Sequence, residues 1–171
     1  MKIVILCGGK GLRYNSEIPK PLAIIGNKSI LEHIMDIYTK QGFKDFILVT
    51  GWKAKDIKNY FESKKSELDY NITCIDTGEN SNTAHRIKLI EDYIPKTDRD
   101  VFCNYSDGLA NIDLEKLYLE HKRLDYVTTL TAVRPQNVYG IINIGFNGQV
   151  TKFNEKPKMQ EYINGGFFVF K

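Results

Sequence analysis

Three glycines, Gly8, Gly9 and Gly11, are interleaved with Lys10 near the start of the chain, and Arg13 and Lys20 follow them closely. Glycine lets a backbone approach an anion and adopt conformations other residues avoid. Successive N–H groups at such a turn form an anion-binding nest, as at a helix N-terminus. The nearby cations add mobile positive charge, so the chemistry indicated is the holding of a polyphosphate. A tight strand-to-helix turn would use the glycines equally well, but it has no need of Arg13 and Lys20. A second candidate is Asp107, set between Ser106 and Gly108. It is either an ordinary turn aspartate or a ligand for Mg²⁺, which prefers one or two carboxylates plus substrate phosphates to a full protein cage.

These residues need a frame, and the hydrophobic pattern supplies one. Short apolar runs at Ile3 to Leu6, Phe46 to Val49 and Val101 to Tyr105, with alternation at Tyr70, Ile72 and Cys74, predict strands. Between them Ser29-Ile-Leu-Glu32 is a capping box opening a helix that carries Leu31, Ile34, Met35 and Tyr38 and stops near Gly42. A second helix is expected through Ile57, Tyr60 and Phe61, and a third with Ile87, Ile90 and Ile94 on one face. Asp113 caps a fourth, lined by Leu114, Leu117, Tyr118 and His121. Strands alternating with helices indicate an α/β fold, with a mostly parallel sheet covered on both sides. A further strand over Val127 to Val133 precedes a hairpin, Ile141 to Ile144 and Val150 to Phe153, turning at Asn147-Gly148. The last strand, Phe167 to Phe170, is strongly apolar. Such an edge is sticky unless something covers it, so a fragment of a longer protein is expected. In an open α/β sheet ligands bind beyond the carboxyl ends of the strands. The glycine loop, the polar loop Asp76-Thr-Gly-Glu-Asn-Ser-Asn-Thr83 and Asp107 all fall there.

Bulk properties narrow the class. At 171 residues, 42% hydrophobic and 26% charged, the chain suits one globular domain spanning 1–171. A net charge of +3, with no basic block, argues against nucleic acid as a partner. No apolar stretch has membrane length, and the glycines cut the first apolar run too short for a signal peptide. Cys7, Cys74 and Cys103 are odd in number and lack metal spacing, so reduced core thiols in a cytoplasmic protein are expected. His121 falls on an apolar helix face as a core histidine, His33 is expected on an exposed face, and His85 and Trp52 are expected as loop residues.

Taken together, Leu6-Cys-Gly-Gly-Lys-Gly-Leu-Arg13 and Pro19-Lys20-Pro21-Leu22 resemble the signature of sugar-phosphate nucleotidyltransferases, the pyrophosphorylases. Asp76 to Ser81, Thr83, Arg86, Tyr105 to Ala110, Glu155-Lys-Pro157 and Ile163 to Phe168 are similar to the glucose-1-phosphate cytidylyltransferase branch. The resemblance implies a Rossmann-like three-layer fold and a Mg²⁺-dependent transfer. A phosphate monoester, by default a sugar 1-phosphate such as glucose 1-phosphate, attacks the α-phosphorus of CTP and releases pyrophosphate. It implies that Leu6, Cys7, Gly8, Gly9, Lys10, Gly11, Leu12, Arg13 and Lys20 hold the triphosphate. Ser81, Arg86 and Ser106 would contact the nucleotide, Asp107 the metal, and Gly140, Glu155, Lys156 and Asn164 the acceptor. An in-line displacement asks a protein mainly for positioning and charge neutralisation, which suits these residue types.

The chain also departs from that pattern. Leu12 stands where the family has threonine, and Thr83-Ala-His-Arg86 replaces Thr-Gly-Gly-Arg. The Arg13–Lys20 and Lys64–Asn71 stretches are short. The family's second metal aspartate falls beyond Lys171. A nucleotide-binding regulatory homologue, the same chemistry with another NTP, a non-sugar acceptor and homo-oligomerisation stay open on the sequence. Dinucleotide redox chemistry fits worse, because the third glycine of that fingerprint and a strand-two acid are both missing.

Overall fold

The computed structural model describes residues 1–11, 14 and 17–171. They form two compact units, one of residues 1–129 and 166–171 and one of residues 130–165.

In the first unit β1 (Ile3–Leu6) is followed by a 3-10 turn at Lys20–Leu22, then by the short pair β2 (Ile24–Ile25) and β3 (Lys28–Ser29). Next come α1 (Ile30–Thr39), β4 (Asp45–Thr50), α2 (Ala54–Ser63), β5 (Asn71–Asp76), α3 (Thr83–Leu89), β6 (Val101–Tyr105) and α4 (Leu114–Leu124). Two strands have residues in both units, β7 (Thr128–Val133) and β10 (Ile163–Phe170). Among the described residues the main sheet has the order β5-β4-β1-β6-β10-β7. Strands β5, β4, β1 and β6 are parallel, and β10 lies antiparallel on β6.

The local signals work as the sequence suggests. Ser29 caps α1 by accepting from the Glu32 N–H, while the Glu32 carboxylate accepts from the Ser29 N–H, closing the capping box. Beyond its last turn Gly42 takes φ +87°, in the left-handed region that favours glycine. Asp113 caps α4 through the Lys116 N–H. Along β1, Ile3 and Ile5 enter the larger core with α1, α2 and α4, while Val4 faces the smaller core on the other side with Ile47, Val49 and Ile90. This period of two is that of a sheet buried on both faces.

Three expectations change. The helix carrying Ile87, Ile90 and Ile94 ends at Leu89 and continues as a 3-10 turn at Glu91–Tyr93, so the three isoleucines do not share one α-helix. The small β2–β3 pair is an addition, too short for any periodicity to announce it. The apolar strand at 167–170 is not a bare edge: it lies between β6 and β7, with Phe167, Phe168 and Val169 buried. His121 is a core residue, its Nδ1 2.8 Å from Thr129 Oγ1 and its Nε2 3.4 Å from the buried Asp100 carboxylate. His33 is half-buried against the Ile25 carbonyl. All three cysteines are unpaired, and burial pushes the Cys103 thiol up to about 12.

In the second unit β8 (Ile141–Ile144) and β9 (Val150–Asn154) pair antiparallel, as the hairpin signal predicts. No helix among the described residues is long and apolar enough to cross a membrane.

Candidate nucleotide site

Strand register decides where the loops meet. Leu6 is level with Val49 on one side and with Tyr105 on the other, and Thr50 is level with Asp76. The four parallel strands therefore release their chains at one height. From β1 the chain goes out to β4 and β5, then returns to β6 on the opposite side. A reversal of this kind opens a crevice at the carboxyl ends of the strands. Here it is a cleft of about 1090 Å³, ample for a nucleotide-sized ligand.

The glycine loop lines the cleft through Leu6, Gly8, Gly9, Lys10 and Gly11. Lys20 enters from the 3-10 turn, Ser81 and Arg86 from the chain after β5, and Ser106 and Asp107 from the end of β6. Cys7 does not line it. Its N–H donates to the Val49 carbonyl and its thiol is buried in the core, as the inward-facing position of a strand end requires. Leu12 and Arg13 lie outside the described residues. Glu79, Asn82, Thr83 and Tyr105 also line the cleft. Each sits inside or beside a motif visible in the sequence, but nothing in the residue types singles them out. His85 is exposed and lies outside the lining, its N–H donating to the Asn82 side chain that caps α3.

The cleft's charges are arranged in pairs between loops. Lys10 Nζ is 2.7 Å from Glu79 Oε1, and Lys20 Nζ is 2.6 Å from Asp107 Oδ2. All four side chains are roughly half exposed. Arg86 is different: it is buried, at 5% exposure. Its Nη1 donates to the Thr50 carbonyl at 2.9 Å and to Thr77 Oγ1 at 2.6 Å. Its Nη2 donates to the Gly8 carbonyl at 3.0 Å and the Glu79 carbonyl at 3.3 Å. Ser81 Oγ donates to the Thr77 carbonyl, closing the polar loop on itself. Among the described residues no three His, Cys, Asp or Glu side chains cluster as a metal cage.

The remaining predicted residues belong to the second unit. The backbone at Gly140 leaves room for the Phe153 ring and the Glu155 carboxylate, which a Cβ there would meet at 2.7 and 3.2 Å. Lys156 takes φ +41° immediately before Pro157, an uncommon conformation for a residue with a side chain. Its carbonyl accepts from Gln136 Nε2 at 3.0 Å, and the Pro157 carbonyl accepts from the Asn137 N–H. Asn164 lies in β10, one residue before Gly165.

A cleft with a glycine-rich floor, paired cations and a strand-end aspartate at the reversal of an α/β sheet defines a class of phosphate-handling enzyme, and comparison with known proteins identifies it. Residues 2–171 match the nucleotidyl transferase family model, and the chain belongs to that family. It is a nucleotidyltransferase. Glucose-1-phosphate cytidylyltransferase of Salmonella typhimurium is 39% identical, over 99% of this chain and 74% of its own length. D-glycero-alpha-D-manno-heptose 1-phosphate guanylyltransferase of Campylobacter jejuni is 31% identical, over 99% and 75%. Among solved structures, HddC of Yersinia pseudotuberculosis superimposes with a TM-score of 0.74 at 25% identity, over 99% of this chain and 76% of that one. A second structure of that protein is complexed with GMP-PN.

Proposed function

We propose that this nucleotidyltransferase uses CTP and a sugar 1-phosphate, glucose 1-phosphate by default, to make a CDP-sugar and pyrophosphate in the cytoplasm. The observation that supports this most is the cleft itself: glycine loop, Lys10, Lys20 and Asp107 converge at one end of the sheet. The 39% identity to a cytidylyltransferase supports the choice of base and acceptor. In this reading Gly8 to Gly11 cradle the β- and γ-phosphates. Lys20, with Arg13, neutralises the pyrophosphate as it leaves. Ser81 and Ser106 meet the nucleoside. Gly140, Glu155, Lys156 and Asn164 take the acceptor, where Lys156 supplies the charge that a phosphate monoester requires. The acceptor phosphate is already an anionic nucleophile, so no general base is needed.

Mg²⁺ fits the donor set. Asp107 offers a hard carboxylate, 45% exposed, on the cleft wall, and Mg²⁺ takes its remaining ligands from phosphates and water. A bound Mg²⁺ would neutralise charge on the phosphate oxygens. Capsule or other surface-polysaccharide synthesis is the setting in which such a product is used.

Pyrophosphate release, measured with all four NTPs against a panel of sugar 1-phosphates and non-sugar phosphate monoesters, tests the reading. Release with CTP and glucose 1-phosphate above every other pair is expected. A preference for another NTP replaces the cytidylyl assignment, and no release with any pair sinks the proposal.

A further inference from the structure

Arg86 occupies an unusual position for a residue expected to touch a nucleotide. Four of the five N–H donors of a guanidinium go to protein oxygens from four places in the chain: Gly8 after β1, Thr50 at the end of β4, and Thr77 and Glu79 after β5. One planar group therefore ties together three of the strand ends that frame the cleft. Bonds from a charged donor in a buried setting are stronger than neutral ones and are lost as a set if the group moves.

The same geometry accounts for Gly8. A Cβ at Gly8 would lie 2.1 Å from Arg86 Nη1 and 2.3 Å from Cζ. Gly8 does not take a left-handed φ, so alanine could adopt its backbone conformation. What excludes a side chain at Gly8 is the guanidinium. Gly9, by contrast, faces open space, with nothing within 4 Å of where a Cβ would sit. The glycines of the loop therefore have different reasons to be glycine.

We propose that Arg86 is a positioning residue and that Gly8 is its complement: the pair clasps the glycine loop to the loop after β5, setting the spacing that receives the nucleotide. This rests on the cleft being the nucleotide site. Thr77 is the third member. It is 6% exposed, does not line the cleft, accepts from Arg86 Nη1 and donates to the Thr50 carbonyl at 2.8 Å.

The test is a double-mutant cycle on the full chain with Gly8→Ala, Arg86→Ala and both together, read as CTP dissociation constant and as thermal midpoint. Gly8→Ala alone should weaken CTP binding by about tenfold or more, the scale of one lost charged hydrogen bond. In the Arg86→Ala background the same alanine should change binding by less than about twofold, because its Cβ enters vacated space. Equal losses in both backgrounds would show that the ligand itself needs Gly8 bare, and would overturn the clasp. So would a harmless Gly8→Ala in the presence of Arg86. Should Arg86→Ala fail to fold, Thr77→Val and Thr77→Ser decide. The valine should raise the CTP dissociation constant and the KM for CTP several-fold while leaving the acceptor KM alone, and the serine should restore both. Valine at wild-type affinity refutes the idea. If the wild type binds no NTP, the nucleotide reading fails, but the cycle in thermal midpoints still judges the clasp: a drop with Gly8→Ala that disappears without Arg86 supports it, and an additive drop refutes it.

Discussion

Glu32 and Asp107 each hold a lysine within 3 Å, yet the two carboxylates live in opposite surroundings. Glu32, 8% exposed, receives the Ser29 N–H and hydroxyl, the Tyr60 hydroxyl and Lys64 Nζ, all at 2.6–2.8 Å. Burial alone would raise its pKa. The bonds from Lys64, the Ser29 backbone, Tyr60 and the Ser29 hydroxyl outweigh burial and pull it down to about 2. Asp107 is 45% exposed and pairs with Lys20 across a loop boundary. The first carboxylate takes its bonds from protein, from the Ser29 cap and from Tyr60 and Lys64 at the end of α2, which is the mark of structure. The second has spare lone pairs beside open cleft, so a cation or a phosphate can exchange into its pairing at modest cost. Ion pairing by itself does not separate a scaffold from a site, whereas satisfaction and exposure do.

The largest expected effect breaks the comparison on the cleft side. Asp107→Asn should lower kcat/KM by about 10³-fold or more, as loss of a group that stabilises charge in the transition state does. Its thermal midpoint should stay at the wild-type value; a parallel loss of stability would make Asp107 a structural residue like Glu32. On the scaffold side, Glu32→Gln should cost about 2–4 kcal/mol of stability in denaturant unfolding, with kcat/KM at a permissive temperature within about twofold. The sign of the pH effect follows from the depressed pKa. The Glu32 contribution is complete above its ordinary value of 4.5 and is lost as pH falls toward about 2. Wild-type stability should therefore fall through that window while Glu32→Gln is flatter there, and identical pH profiles would refute the assignment. The smallest effect sharpens the contrast from outside. Asp69, 73% exposed opposite Lys44, resembles neither group. Asp69→Asn should leave both midpoint and turnover unmoved, since exposed pairs contribute little.

Much of this is legible in the sequence because the signals are local. The Ser29–Glu32 capping box, the Asp113 cap and the period-two strands each follow from a few neighbouring residues, and they lead to the right elements. The cleft is legible as a coincidence of three strand ends, since parallel topology carries Lys10, Ser81 and Asp107 to one face regardless of detail. What stays hidden depends on contacts between distant residues. Cys7, next to the glycines, is expected both as a core thiol and as part of the phosphate loop, and only the fold shows its side chain in the core and its N–H spent on Val49. Arg86 lines the cleft as the resemblance implies, but no local pattern announces that its donors also reach Gly8, Thr50, Thr77 and Glu79. The helix after Asn82 ends at Leu89, and Ile90, buried in the smaller core at 0% exposure, leads into the 3-10 turn at Glu91–Tyr93, a break that the isoleucine spacing does not announce. Leu12 and Arg13 lie outside the described residues, and their roles rest on resemblance.

The place of β10 also sets an order of events in folding. Phe168 pairs with Cys103 and Phe170 with Val101, so β6 cannot complete its hydrogen-bond ladder until residues made much later arrive. During synthesis β1, β4, β5 and β6 can assemble from nearby segments. The flank of β6 then waits with unpaired backbone groups while α4, β7 and the hairpin emerge. Contacts of such sequence separation slow folding, and a waiting strand flank invites pairing with other chains. The kinetic weak point of the molecule is therefore the open side of β6, the strand that carries Ser106 and Asp107 at its end.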